Sequence, residues 1–153
     1  MDRVSLSTRK LARVNNERRS ILNWFRYAGW AGLGLIGILS TVPGELRPHV
    51  FAVPQLEHLV AYFAAGLFLA LGFWNRRNVF LLCLAVPMYA AALEIAQLFI
   101  PGRSSEFIDF FASSAGAWAG IALAWLMRSS RRFRANEAIP AGDPPGKSRN
   151  PPL

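Results

Sequence analysis

Four long apolar runs alternate with short polar breaks along the chain. They cover residues 24–42, 56–74, 79–100 and 108–127. At ~1.5 Å per residue, the first of them as a helix reaches about 28 Å, close to a bilayer's hydrocarbon core. The breaks between them are rich in turn formers. Segment 43–55 carries three prolines, 75–78 reads NRRN, and 101–107 opens with Pro101-Gly102. A Pro-Gly pair stops a helix. The pattern therefore predicts an all-α membrane protein, a bundle of four transmembrane helices. Pro87 sits inside the third run. It lacks an N–H and should kink that helix, or leave carbonyls free near residue 83.

What lies outside the runs is polar. Residues 1–23 form a basic N-terminal segment, and 128–153 form a tail that is first basic, then rich in Pro and Gly. The tail cannot bury much surface and is expected to be disordered. A signal peptide is the other reading of the N-terminus. However, the first run is too long for such a core, and no small-x-small cleavage site ends it, so it is read as a retained anchor. Trp24, Arg26, Tyr27 and Trp30 suit a membrane interface at its basic end. Gly32, Gly34 and Gly37 match GxGxxG by letter only, since no strand precedes them. Close approach of another helix explains them better.

Composition agrees with this layout. The chain has 153 residues, 53% of them hydrophobic, and a mean hydropathy of +0.26. That length suits one compact unit, the domain at 24–127. The net charge is +8, and such basicity can mark a nucleic-acid binder. Its distribution argues otherwise, because the cations flank the apolar runs and no recognition motif accompanies them; no nucleic-acid partner is expected. Seven Lys and Arg residues occur up to Arg26, two at 75–78 and six from Arg128 onward, against one each in the other two loops. The positive-inside rule then puts both termini and the 75–78 loop in the cytoplasm. The single cysteine, Cys83, permits no internal disulfide and reads as a small apolar residue.

The candidate chemistry lies at the opposite end. Glu94 and Gln97 interrupt the third run, Arg103 follows in a loop, and Asp109 opens the fourth. A carboxylate at the centre of a membrane helix costs roughly 2.5–3.5 kcal/mol on insertion scales. Helical spacing aligns Glu94 with Gln97, Pro87, Ala90 and Ala91. It aligns His58 with Ala61, Tyr62, Ala65 and Gly66, and Asp109 with Ala112, Ser113, Gly116 and Gly120. Small residues mark helix contacts in lipid, and ionisable groups face bundle interiors. Both signals choose the same faces and imply a polar pocket at the outer mouth. Blander readings stand beside this one. Glu57 and Asp109 suit the positive end of a helix dipole. Arg103 can be solvated, His58 can be a lone interfacial histidine, and Tyr62 and Ser113 can be plain helix contacts. Glu45, Arg47, His49 and Glu106 read as loop polars.

These residues resemble the VanZ-like family of small bacterial membrane proteins, named for a member linked to teicoplanin resistance. One family signature, E-x-x-Q-x-x-x-P-x-R, is matched by Glu94, Gln97, Pro101 and Arg103. A following D-x-x-x-N-x-x-G is matched by Asp109 and Gly116, with Ser113 at the Asn position. An earlier D-K-x-x-H is matched at His58, with Tyr62 after it, while Pro54 and Gln55 replace the Asp-Lys pair. The resemblance spans about 55–125. It implies a multi-pass protein of the bacterial inner membrane and picks out His58, Tyr62, Glu94, Gln97, Arg103, Asp109 and Ser113 as ligand-binding positions. It implies no particular reaction.

Three functions compete. The favoured one is non-enzymatic binding of a membrane lipid, a lipid-linked cell-envelope precursor or a lipophilic glycopeptide, with Arg103 on a phosphate or carboxylate. The small-residue stripes would admit an acyl chain only if helices separate. The second is a membrane enzyme, with His58 and Glu94 or Asp109 as acid–base groups. The third is a structural or assembly role. A metal held by His58, Glu94 and Asp109 is conceivable, but no compact motif such as H-E-x-x-H is present, so no metal and no cofactor is expected. Small-residue helix faces also allow a homo-oligomer.

Overall fold

The computed structural model describes residues 3–43, 53–102 and 107–137. Four helices follow in order: α1 (Arg3–Thr41), α2 (Pro54–Gly72), α3 (Arg76–Gln97) and α4 (Phe107–Glu137). No strand occurs among the described residues. Three segments are long and apolar enough to cross a membrane: Pro54–Gly72, Arg76–Gln97 and Phe107–Ser130. The expected first span is the C-terminal half of α1. It is helical, but Arg26 and its many Gly residues dilute its apolar character, and it is not among the three. Two further differences concern the flanks. α1 begins at Arg3 rather than near the first apolar run. α4 runs ten residues past Met127, so the basic start of the expected disordered tail is helical. The reason is local: 128–137 contains no Pro or Gly. The Pro-rich part of the tail, from 138, lies outside the described residues.

The helix ends follow from local chemistry. Pro54 occupies the first turn of α2, where its fixed φ helps and its missing N–H is not needed. The Asn75 side chain caps α3 by accepting the Arg77 N–H at 3.0 Å. After Gln97 the chain tightens through i→i−3 bonds, including Ile100 N–H to Gln97 O at 3.1 Å. It then turns at Gly102, whose φ of 74° is left-handed and favours glycine.

α2 is the centre of the bundle. It packs on α1, α3 and α4, whereas α1 and α4 are not packed on each other among the described residues. Its tightest partner is α4. A methyl group on Gly66 would meet the Ala117 carbonyl oxygen at 2.6 Å, and methyl groups on Gly116 and Gly120 would run into the Leu59 and Phe63 carbonyls. The two backbones thus touch, and the paired numbers rise together, so α2 and α4 run parallel. α1 runs antiparallel to α2, with Gly29 against Leu69 and Gly32 near Ala65. The small-residue faces are consumed inside the chain, although Gly34 has open space around it. Leu33, Tyr62, Ala65, Leu69, Val86, Ala90 and Ala117 form the main core. A second cluster joins Ala70, Ile121 and Ala124.

α3 is the least enclosed of the apolar helices. Only 17% of its apolar window is buried, against 39% for α2 and for α4. Two polar bonds help to hold it. The Tyr89 hydroxyl donates to the Leu33 carbonyl of α1 at 2.9 Å, over the space that Gly37 leaves. The Trp118 indole N–H of α4 donates to the Cys83 carbonyl at 2.9 Å. That carbonyl is four residues before Pro87 and has no helical N–H to receive. The free carbonyl expected near residue 83 therefore exists, and its partner is an indole.

Candidate functional site

Helix geometry brings three ionisable side chains to one end of the bundle. His58 stands in the second turn of α2, Glu94 in the last turn of α3 and Asp109 in the first turn of α4. One donor atom from each lies within 4.8 Å of the other two. All three are buried, at 6%, 8% and 7% relative exposure. Apolar positions at these spacings would have served packing alone. Three hydrophilic groups on three helices instead face inward together.

The contacts define an order. His58 Nε2 is 4.0 Å from Asp109 Oδ2. His58 Nδ1 is 3.4 Å from Ser113 Oγ, one turn further along α4. With its proton on Nδ1, the imidazole donates to Ser113 and leaves the Nε2 lone pair on the Asp109 side. Tyr62, one turn after His58, contacts Ser113 and lies within electrostatic range of Glu94. Gln97, three residues after Glu94, is almost fully buried at 2% exposure.

The cluster is not fully satisfied. Gln97 Nε2 and Asp109 Oδ1 are buried without a hydrogen-bond partner, as is Ser114 Oγ. An unmade bond to a buried polar group costs about 1–3 kcal/mol, so such atoms ask for a ligand, an ion or water.

Six residues expected to form the site therefore gather here: His58, Tyr62, Glu94, Gln97, Asp109 and Ser113. Arg103 lies outside the described residues, as do Glu45, Arg47, His49 and Glu106. Glu57 is only half-buried. Ser114 was not singled out from the sequence, because a serine in a small-residue stretch reads as packing. Tyr89 and Trp118 were also missed as polar ties. Only the missing N–H of Pro87 pointed to one of their acceptors.

Apolar spans, a buried ionisable cluster and glycine-mediated helix packing define a helical integral membrane protein. The VanZ/LLP1 family model matches residues 7–128, and the chain belongs to that family. No curated protein and no solved structure matches it.

Proposed function

We propose that this VanZ/LLP1 protein binds the polar head of a membrane amphiphile at the His58–Glu94–Asp109 end of its bundle. The observation that carries the reading is a buried polar cluster with partnerless atoms, Gln97 Nε2 and Asp109 Oδ1. A lipid head group, a lipid-linked cell-envelope precursor or a lipophilic glycopeptide offers hydrogen-bonding groups for them. Gln97 would donate, Asp109 would accept from a hydroxyl or amine, and Arg103 would take a phosphate or carboxylate. The alkyl chain would not enter the α2–α4 seam, since its glycines are already in backbone contact. It would lie on the loosely covered side, where Ile95, Leu98, Phe99, Phe107, Ile108 and Phe111 are exposed.

In this reading the protein sits in the bacterial inner membrane and crosses it four times. The distribution of Lys and Arg supports both termini on the cytoplasmic side and the cluster on the outer one. Reporter fusions at 43–55 and 101–107 test that topology; cytoplasmic signals at both would remove the outer pocket. Native mass spectrometry of gently extracted protein tests the ligand. One amphiphile retained by the wild type and lost from Gln97→Ala supports binding, and clean apoprotein from both defeats it.

The approach of His58 to Asp109 favours one second reading, acid–base chemistry on such an amphiphile. His58→Gln and Asp109→Asn would then keep the ligand but stop its conversion. A structural role predicts instead that both variants unfold.

A further inference from the structure

We propose that His58, Glu94 and Asp109 hold a divalent first-row transition cation such as Zn²⁺. The three offer one imidazole nitrogen and two carboxylates, a donor set that suits such ions. Thiolate-seeking Cu⁺ finds no sulfur among them, and Ca²⁺ or Mg²⁺ prefers oxygen alone. Donor atoms on a tetrahedral zinc stand roughly 3.4 Å apart, from metal–ligand distances of about 2.0–2.2 Å. The three atoms here lie within 4.8 Å of one another, so each pair needs to close by at most about 1.4 Å. Side-chain rotation supplies that.

Two further observations point to an ion rather than to a mere acidic cluster. Asp109 is more than nine-tenths buried, yet its Oδ1 has no partner. Ser113 stands behind His58, 3.4 Å from Nδ1. A group that accepts the Nδ1 proton fixes the tautomer whose Nε2 lone pair faces the carboxylates, which is how ligating histidines are held. The ligands come from three helices and are scattered along the chain, so no compact motif announces them. With three protein ligands, at least one coordination position stays open to water or to an oxygen of a bound molecule. The cation would share Asp109 and this end of the bundle with the head of the proposed amphiphile, but its binding needs no amphiphile, and the two are tested separately.

The test is a titration of tag-free, EDTA-stripped full-length protein in detergent with Zn²⁺, followed by Co²⁺ as a spectroscopic stand-in. One equivalent of Zn²⁺ per chain should bind and raise the unfolding temperature. Co²⁺ should give visible d–d bands. Asp109→Asn and Glu94→Gln should each weaken binding at least tenfold, and Ser113→Ala should weaken it by about ten- to a hundredfold while the protein stays folded. His49→Ala, which changes the other histidine, should bind like the wild type. Absence of stoichiometric Zn²⁺ from monodisperse wild type overturns the proposal. So does equal binding by folded wild type and Ser113→Ala. If the carboxylate variants fail to fold, the Ser113→Ala comparison decides.

Discussion

The two ends of the bundle handle charge in opposite ways. At the basic end, Arg26 donates to the Gly72 carbonyl at 3.0 Å and covers the Phe73 ring at 4.8 Å. Arg128 donates to the Leu71 carbonyl and covers Trp74 at 5.0 Å. Both cations cap the last carbonyls of α2, where the helix dipole is negative. Each has an acceptor and an aromatic face. At the other end His58 and Asp109 are 4.0 Å apart, and two buried polar atoms beside them lack partners. The first arrangement closes a structural account. The second leaves one open, and those open groups are the observation on which the binding proposal rests.

That contrast can be broken at several points. The largest effect is expected where neither end is involved. Gly120→Leu drives a side chain into the α2 backbone and should leave no monodisperse protein on size-exclusion chromatography. Next, Arg128→Ala should lower stability by about 1.5–3 kcal/mol, the range for hydrogen bonds to charged groups, while Zn²⁺ binding stays intact. Asp109→Asn should do the reverse. It exchanges a buried side chain whose Oδ1 has no partner for a neutral amide, so the unfolding temperature of metal-free protein should hold or rise, while Zn²⁺ affinity falls at least tenfold, about 1.4 kcal/mol. If Asp109→Asn destabilises the metal-free protein as Arg128→Ala does, the two ends do not differ in kind. The smallest effect belongs to Trp118→Phe, which should cost about 0.5–1.5 kcal/mol through the lost bond to the Cys83 carbonyl. Indole and phenyl fill similar space, so a chemical-denaturation series resolves it.

Much of this was legible in the residues. Apolar runs located α2, α3 and the start of α4 within a few residues, because a bilayer-length helix leaves little choice. The alignment of His58, Glu94 and Asp109 with small residues identified the faces that meet. The start of α1 and the end of α4 were less legible, since polar helices carry no apolar period to read. The arginine caps were missed for a different reason. Arg26 and Arg128 look like ordinary topology signals until the carbonyls of Leu71 and Gly72 are placed beside them. The α2–α4 seam is closed: its glycine stripes would admit an acyl chain only if the helices separated, and here opposing backbone fills the room between them.

The parallel course of α2 and α4 bears on how the protein is made. Neighbouring parallel helices cannot be joined by a tight turn, so α3 must run back along the bundle before α4 can reach its place. A ribosome that has just delivered Gln97 has produced His58 and Glu94 but not Asp109. The site is therefore assembled last, by the arrival of the final helix.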